Sequence, residues 1–184
     1  MKRNQPRFGK SQAGMTLIEA AVAILILTIG VTAVAAVFVN GLALMGNSQD
    51  TFIAKEKAEE AVESVFAGRD DQNLSWAQIL NVKGSSGADG GVFVDGPLPI
   101  NDPGPDGLVN TVDDGAAEYI VLPGPDGVFG TADDVKVPLV KFQRDIQIRN
   151  ITGNPNLRTL TVTITNVATG AVIYRIQTYI SAFV

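Results

Sequence analysis

Carboxylates are the side chains in this sequence whose type and spacing could do chemistry, because it contains neither cysteine nor histidine. These absences exclude disulfides, thiol nucleophiles, histidine acid–base catalysis and the usual zinc sites. Two carboxylates could still act together as they do in glycosidases. The acidic pairs Asp113–Asp114 and Asp133–Asp134 are adjacent along the chain, however, so their side chains tend to diverge. We therefore expect that the protein is not an enzyme.

The acidic residues are concentrated in one insert between Lys83 and Lys136, which holds ten Asp or Glu and no Lys or Arg. Eleven of the 19 glycines and six of the nine prolines also lie there, which predicts a loop-dominated segment. Within it, "PGPDGLVNTVDD" (Pro103–Asp114) recurs as "PGPDGVFGTADD" (Pro123–Asp134). Asp-Gly and Pro-Gly make surface turns on their own. Turn propensity does not require the repeated Thr-x-Asp-Asp, so the repeat indicates a further role.

This repeat resembles the calcium-binding repeats of bacterial surface proteins. Calcium takes about six to eight oxygen ligands, which a loop turning on glycine can aim at one point. Counted from Asp102, the first copy spaces its oxygen-bearing side chains roughly as an EF-hand-like loop does, and the second fits less well because Leu122 takes the first place. Calcium is thus the candidate cofactor, and plain surface turns are the alternative. The candidate ligands are Asp102, Asp106, Asn110, Asp113 and Asp114 in the first copy and Asp126, Thr131, Asp133 and Asp134 in the second.

A lone carboxylate, Glu19, stands immediately before an uncharged apolar run from Ala20 to Val39. Twenty helical residues rising about 1.5 Å each span about 30 Å, the thickness of one hydrocarbon core. An ionised carboxylate in lipid costs about 2.5–3.5 kcal/mol on insertion scales, so such a residue usually has a function. Two alternatives stay open from the pattern: a cleavable secretory signal, and a plain membrane anchor whose Glu19 reaches toward water at the interface.

The charges on either side of the apolar run differ in sign. Four of the 14 basic residues lie before Glu19, and no acidic residue does. The other ten basic and all 19 acidic residues give the rest of the chain a net charge of −9. This asymmetry predicts a single-pass topology with the N-terminus in the cytoplasm. It also argues against nucleic-acid binding through a basic patch. The basic residues before the run are Lys2, Arg3, Arg7 and Lys10.

The stretch "KSQAGMTLIE", Lys10–Glu19, resembles the cleavage and methylation motif of type IV prepilins. The resemblance implies that a prepilin peptidase cuts after Gly14 and methylates the new amino terminus at Met15, where the family most often has Phe. It further implies that Glu19, as the fifth mature residue, pairs with the amino terminus of a neighbouring subunit in a filament. An ammonium and a carboxylate that are both costly in lipid would neutralise each other in such a pair.

Beyond the apolar run the pattern becomes amphipathic, with Ala54, Ala58, Ala61 and Val65 at helical spacing. We expect one helix from about Thr16 to Ala67 that stops at Gly68. Two helices broken at Gly41–Gly46 are the alternative, because each interior glycine costs about 1 kcal/mol.

The C-terminal region alternates as β-strands do. "LRTLTVTIT" (Leu157–Thr165) and "AVIYRIQTYISAFV" (Ala171–Val184) flank "NVATG", whose Gly170 suits a hairpin, and "VPLVKFQRDIQIRN" (Val137–Asn150) adds one or two strands. This region resembles the pilus-modification minor pilins and the I-type minor pseudopilins of type II secretion. The matching positions are Phe142, Arg144, Ile146, Ile148, Leu157, Arg158, Thr178 and Tyr179.

Together these patterns predict an α+β fold. A long N-terminal helix, with a membrane half and an amphipathic half, packs on a C-terminal antiparallel β-meander that carries an acidic Gly/Pro-rich loop insert. The expected organisation is a leader at 1–14, a transmembrane helix at 15–40, its amphipathic continuation at 41–68, and a globular domain at 69–184 that includes the acidic loop repeats at 84–135.

The resemblances imply a minor type IV pilin, a structural subunit that waits in the inner membrane and then enters a surface pilus. Its expected partners are other pilins or pseudopilins, through the N-terminal helix, and the prepilin peptidase. The alternatives are a minor pseudopilin in a periplasmic pseudopilus of type II secretion, and a filament-tip or membrane-tethered binding module that depends on calcium.

Overall fold

The computed structural model describes residues 16–82 and 90–183. The chain divides into two compact units, Met1–Asn47 and Ser48–Val184. One long helix comes first and is followed by six strands. They are α1 (Leu17–Asp70), β1 (Leu98–Pro99), β2 (Tyr119–Leu122), β3 (Val135–Pro138), β4 (Phe142–Ile151), β5 (Asn154–Asn166) and β6 (Val172–Ser181).

The helix α1 is longer than expected and has no break. Its assigned span runs through Gly41 and Gly46, so the alternative of two helices is wrong. The predicted stop at Gly68 is also wrong, because the helix continues to Asp70. Gly68 lies inside the last turn and is buried where Leu108 and Leu74 pack, each with a carbon about 3.1 Å from the position a Cβ would take. This glycine therefore serves close packing rather than chain termination.

The strands β4, β5 and β6 form the predicted antiparallel meander, and β1 adds to the free side of β4. Alternation decides which face is buried: Ile146 on β4 pairs with Val162 on β5, and both are fully buried. Gly170 adopts the left-handed conformation, with φ of 68°, in the turn between β5 and β6. The strands β2 and β3 form a separate two-stranded sheet. The α+β fold is confirmed.

The core of the second unit lies between the amphipathic part of α1 and the sheet. Ala54, Ala58, Ala61 and Val65 are fully buried, as the helical spacing predicted, and belong to one hydrophobic cluster with residues of β4, β5 and β6. The acidic insert contributes to this cluster too, through Ile100 and Val109 among others. Most of the described insert lies outside helices and strands, as predicted, and its first repeat also helps to build the core.

A single side chain, Asn81, replaces a strand along part of the outer side of β4. Its amide nitrogen donates to the carbonyl of Ile146 (2.7 Å) and its oxygen accepts from the backbone N–H of Ile148 (2.7 Å). Asn81 is completely buried, so water cannot take over these bonds. The same oxygen also accepts from Arg149 (2.7 Å). Asn81 thus satisfies the polar backbone groups that β1, only two residues long, does not reach.

We predict that Asn81→Ala lowers the free energy of unfolding by about 2–4 kcal/mol, because it leaves two buried backbone groups unpaired. Denaturant unfolding of the full chain in detergent, followed by the fluorescence of the single tryptophan, Trp76, measures the loss. Asn154→Ala is the matched control, since Asn154 is exposed and its side chain bonds only a neighbouring backbone N–H. Equal stability of the two variants would contradict this account of Asn81.

Candidate functional site

The first candidate is the N-terminal turn of α1. Gly14 and Met15, the predicted cleavage and methylation positions, lie outside the described residues. Thr16 caps the helix, because its hydroxyl accepts a hydrogen bond from the backbone N–H of Glu19 (3.3 Å). Thr-x-x-Glu is the capping-box spacing. The structure therefore places the exposed carboxylate of Glu19 in the first helical turn, where the helix dipole favours a negative charge.

The helix that follows Glu19 exposes its apolar side chains, and it is long and apolar enough to cross a membrane. None of the best membrane-spanning window is buried within the described chain. A surface of this kind is stable only in lipid or against other apolar helices. Its exposed side chains include Leu25, Ile26, Leu27, Val34, Val37 and Phe38.

The second candidate is the pair of acidic repeats, which form two separate loops of similar conformation. Four hydrogen bonds recur at equivalent positions. In the first copy they run from Gly107 N to Gly104 O (3.0 Å), from Leu108 N to Asp106 Oδ1 (2.8 Å), from Asn110 N to Asp114 Oδ2 (2.8 Å) and from Thr111 Oγ1 to Asp113 Oδ1 (2.8 Å). In the second they run from Gly127 N to Gly124 O (3.0 Å), from Val128 N to Asp126 Oδ1 (2.8 Å), from Gly130 N to Asp134 Oδ2 (2.6 Å) and from Thr131 Oγ1 to Asp133 Oδ1 (2.6 Å). The repeat is thus a structural unit and not a coincidence of composition.

The first copy is built into the core. Leu108 and Val109 are buried, and the backbone N–H of Val109 donates to the hydroxyl of Ser64 on α1 (3.2 Å). Asn110 is completely buried at a φ of 60°, and its amide pairs with Arg144 on β4: its oxygen accepts from Nε (2.7 Å) and its nitrogen donates to the backbone carbonyl (3.0 Å). Because both ends of this amide are engaged, the structure does not present Asn110 as a calcium ligand.

The other predicted ligands of the first copy are held by their own loop. Asp106, Asp113 and Asp114 accept the hydrogen bonds given above, and Asp114 also accepts from the N–H of Thr111 (3.0 Å). The backbone of Asp102 bonds Gly115 and Ala116, which places Asp102 at the neck of the loop. Within the described residues no three carboxylates are arranged to hold a metal ion. The calcium hypothesis remains a prediction, without a preformed site in either of the two described copies.

The second copy projects from the β2–β3 hairpin, and most of its residues are exposed. The hydroxyl of Thr131 donates to Asp133 and lowers the pKa of that carboxyl below its ordinary value, which keeps it ionised. Asp126 Oδ1 accepts only a local backbone bond, and Asp134 Oδ1 is buried with no hydrogen-bonding partner among the described residues. The three carboxylates lie on one small loop. No salt bridge found in the described part of the chain involves them.

A cluster of buried charges connects α1, the start of β2 and β4. The ammonium of Lys57, on α1, donates to Glu60 (2.6 Å) and to Glu118. Arg144 is completely buried, and apart from Nε its guanidinium nitrogens have no partner among the residues described. Burial lowers the pKa of Arg144, and the charges of Glu60, Asp114 and Glu118 oppose that effect. Acidic side chains thus surround the one cation that anchors the first repeat.

The pKa values of the coupled pair Lys57 and Glu118 both shift upward. Burial alone would lower the pKa of Lys57, but its hydrogen bonds to Glu118 and Glu60 outweigh burial and raise it. Burial raises the pKa of Glu118, and the hydrogen bond from Lys57 offsets this only in part. The first shift favours the ion pair and the second opposes it. On balance the ion pair is favoured, because two carboxylates stabilise the single ammonium of Lys57.

The structural roles of Lys57, Asn81 and Arg144 were not predicted, although the sequence pattern around Lys57 and Arg144 indicates that both side chains face the core. Lys57 stands on the apolar stripe of α1, three residues after Ala54. Arg144 has the same strand parity as the inward-facing Ile146, which predicts that it points into the core. Nothing in the local pattern marks Asn81, because its role depends on the edge of a distant strand.

We predict that Lys57→Met destabilises the protein by about 3 kcal/mol at neutral pH, because it leaves Glu118 buried without its cation. The matched control is Lys55→Met, which removes an exposed pair with Glu59 and should cost at most about 0.5 kcal/mol.

The pH dependence of the same variants tests the ion pair itself. A raised lysine pKa stabilises the folded state fully below the unfolded value of 10.5, and this contribution is lost as the pH rises through the folded value. The difference between wild type and Lys57→Met should therefore shrink above pH 10.5. Unfolding measured at neutral and strongly alkaline pH gives the answer, and a difference that stays constant would show that the ion pair is not its source.

Comparison with known proteins gives one match. The family model described as the prokaryotic N-terminal methylation motif matches residues 9–35, which are the end of the predicted leader and the first part of α1. No curated protein and no solved structure gave a significant match. The match thus coincides with the segment that contains Gly14, Met15 and Glu19, and it does not extend into the unit Ser48–Val184. This chain carries the prepilin-type signature that is typical of type IV pilin-like proteins and pseudopilins.

Proposed function

We propose that this protein is a minor type IV pilin, a structural subunit that is processed after Gly14 and then assembled into a pilus. One observation carries the proposal. The methylation motif at residues 9–35 continues directly into a helix whose apolar side chains are not buried within the described chain. Such a helix needs lipid before assembly and other apolar helices afterwards.

Glu19 would set the axial position of the subunit. Cleavage after Gly14 creates an ammonium at Met15, and the exposed Glu19 carboxylate is four residues further along the sequence. In a bundle of such helices, the carboxylate of one subunit and the ammonium of its neighbour neutralise each other when the two helices dock at one particular offset.

The assignment as a minor subunit rests on the C-terminal strands. Their pattern, with Phe142 and Arg144 at the start of β4, resembles that of pilus-modification minor pilins, and the structure places both side chains in the core. The I-type minor pseudopilins share this pattern. A minor pseudopilin of type II secretion is therefore the alternative, and the location of the mature protein distinguishes the two.

Mass spectrometry of fibres sheared from the cell surface, compared with the stripped cells, tests the proposal. We expect a peptide that begins at N-methylated Met15 in the fibre fraction. The same peptide confined to the cell envelope would favour the secretion pseudopilus. A leader that remains attached to Met15 in both fractions would contradict prepilin processing altogether.

We predict that Glu19→Ala leaves cleavage at Gly14 intact and lowers incorporation into fibres at least about tenfold, because the Met15 ammonium of the neighbouring subunit then has no partner in the bundle. Quantitative immunoblotting of sheared fibres and cells measures this ratio. Glu56→Ala is the matched control, since Glu56 is an exposed carboxylate on the same helix outside the apolar run. Normal incorporation of Glu19→Ala would rule out the role of this residue in assembly.

We further propose that calcium binds the second acidic copy, as the alternative function of a calcium-dependent filament-tip or membrane-tethered binding module would require. Asp126, Asp133 and Asp134 lie on one short loop, and Oδ1 of Asp134 has no hydrogen-bonding partner among the described residues. Hard carboxylate oxygens are what calcium prefers. Because these carboxylates accept bonds from their own loop, the cation would replace some of those bonds.

We predict that calcium in hundredfold excess over its dissociation constant stabilises the full chain in detergent by about 2.7 kcal/mol relative to EDTA. Thermal unfolding under the two conditions measures this stabilisation. The double variant Asp133→Asn, Asp134→Asn should lose it, whereas Glu63→Gln, which changes an exposed carboxylate on α1, should keep it. Identical melting of the wild type with calcium and with EDTA would exclude the metal site.

A further inference from the structure

The β2–β3 hairpin and the loop between its strands, residues 119–138, form an arm that exposes much apolar surface. The two strands pair only with each other in the described sheets. One face of this ribbon packs toward α1, where Ile120 and Ile53 line one cavity, and exposed apolar side chains elsewhere on the arm are available for an interaction surface. Seven large apolar side chains of the arm are exposed: Tyr119, Val121, Leu122, Val128, Phe129, Val135 and Val137.

The first acidic copy shows what this loop does when it is docked. Its tip residues, Leu108 and Val109, are 4% and 1% exposed. Leu108 packs on Gly68 of α1, and Val109 donates its backbone N–H to Ser64 on the same helix. Ser64 and Gly68 are four residues apart and therefore lie on one helix face. The docked loop thus contacts a helix at two small residues one turn apart. Asn110 also anchors this loop to Arg144 on β4, an anchor that the second copy lacks because Gly130 takes that position.

The second copy offers the same tip without a surface to cover it. Val128 and Phe129 occupy the positions of Leu108 and Val109, on a loop with the same internal hydrogen bonds, but they are 55% and 66% exposed. The site on α1 of its own chain is already filled by the first copy. A matching surface for the second copy would therefore belong to another chain.

The charges around the tip indicate which chain that is. Asp126, Asp133 and Asp134 share the loop with Val128 and Phe129, so a partner surface with basic residues is favoured when no cation occupies these carboxylates. A second copy of this chain is a poor partner, because the exposed side of α1 in its globular unit is itself mainly acidic. Its exposed or half-exposed charged residues there are Lys55, Glu56, Glu59, Glu60, Glu63, Arg69 and Asp70.

We infer that Val128 and Phe129 dock on the amphipathic helix of a different pilin-like subunit, at two small residues one turn apart that are flanked by basic side chains. This inference rests on the proposed function, because it takes the partner from the same filament. The arm then supplies a second contact between subunits, in addition to the N-terminal helices. The contact would be specific because the partner helix needs small residues for the loop to approach it and basic side chains to pair with the acidic residues of the loop.

The test places a photo-crosslinking phenylalanine analogue at position 129 of the full chain in its native host. The control position is 112, since Val112 is 86% exposed and belongs to the equivalent loop that is already docked. We expect a crosslink from position 129 to the helix of another prepilin-type subunit, mapped by mass spectrometry, and at least about tenfold less of it from position 112. A crosslink only to a second copy, only to lipid, or to no protein would overturn the inference.

A pair of substitutions separates this inference from the proposed function. Phe129→Ser should lower co-purification with the partner subunit about tenfold without changing the melting temperature, because the side chain is exposed in the monomer. Val140→Ser, which removes another exposed apolar side chain outside the arm, should leave co-purification unchanged. If Phe129→Ser is processed at Met15 and enters fibres with all its partners, the docking inference fails and the pilin function stands. An uncleaved leader in every variant would instead count against the pilin function.

Discussion

The small residues on one face of α1 are the constraint on which the second unit depends. Ala54, Ala58 and Ala61 are fully buried, so the helix backbone can approach the sheet closely enough to bury the aliphatic side chains of β4 and β5. Further along the same face, Ser64 and Gly68 leave room for the first acidic loop. A larger side chain at any of these positions would push away either the sheet or the loop.

The fold could be predicted from the sequence where one periodic pattern determines one element. The helix was predicted from the apolar run after Glu19 and the stripe that begins at Ala54. The meander was predicted from the alternation around Val162. Predictions based on a single glycine were less successful. Gly68 proved to be a packing position, and Gly41 lies within the continuous helix, because helix continuity depends on the whole segment.

The candidate sites were predictable to a smaller extent, since a local pattern does not show what surrounds a loop. The two acidic copies have similar sequences and share four hydrogen bonds, yet the tip of the first is buried and that of the second is exposed. Asn110 illustrates the difficulty: as a residue type it suits calcium, and only the position of Arg144 on a distant strand shows that its amide is engaged. Its counterpart Gly130 has no side chain, and this one difference was visible in the sequence.

The amide of Asn81 has a consequence for how the sheet can associate with other sheets. Together with β1 and the amide of Asn110 it covers the outer side of β4 at Arg144, Ile146 and Ile148, which obstructs the addition of another strand there. Strand addition is left to the β6 side. Two molecules could join edge to edge through β6, but a third could not extend the pair, since each sheet then ends in a closed edge. Association through the edges of the four-stranded sheet would therefore stop at two molecules.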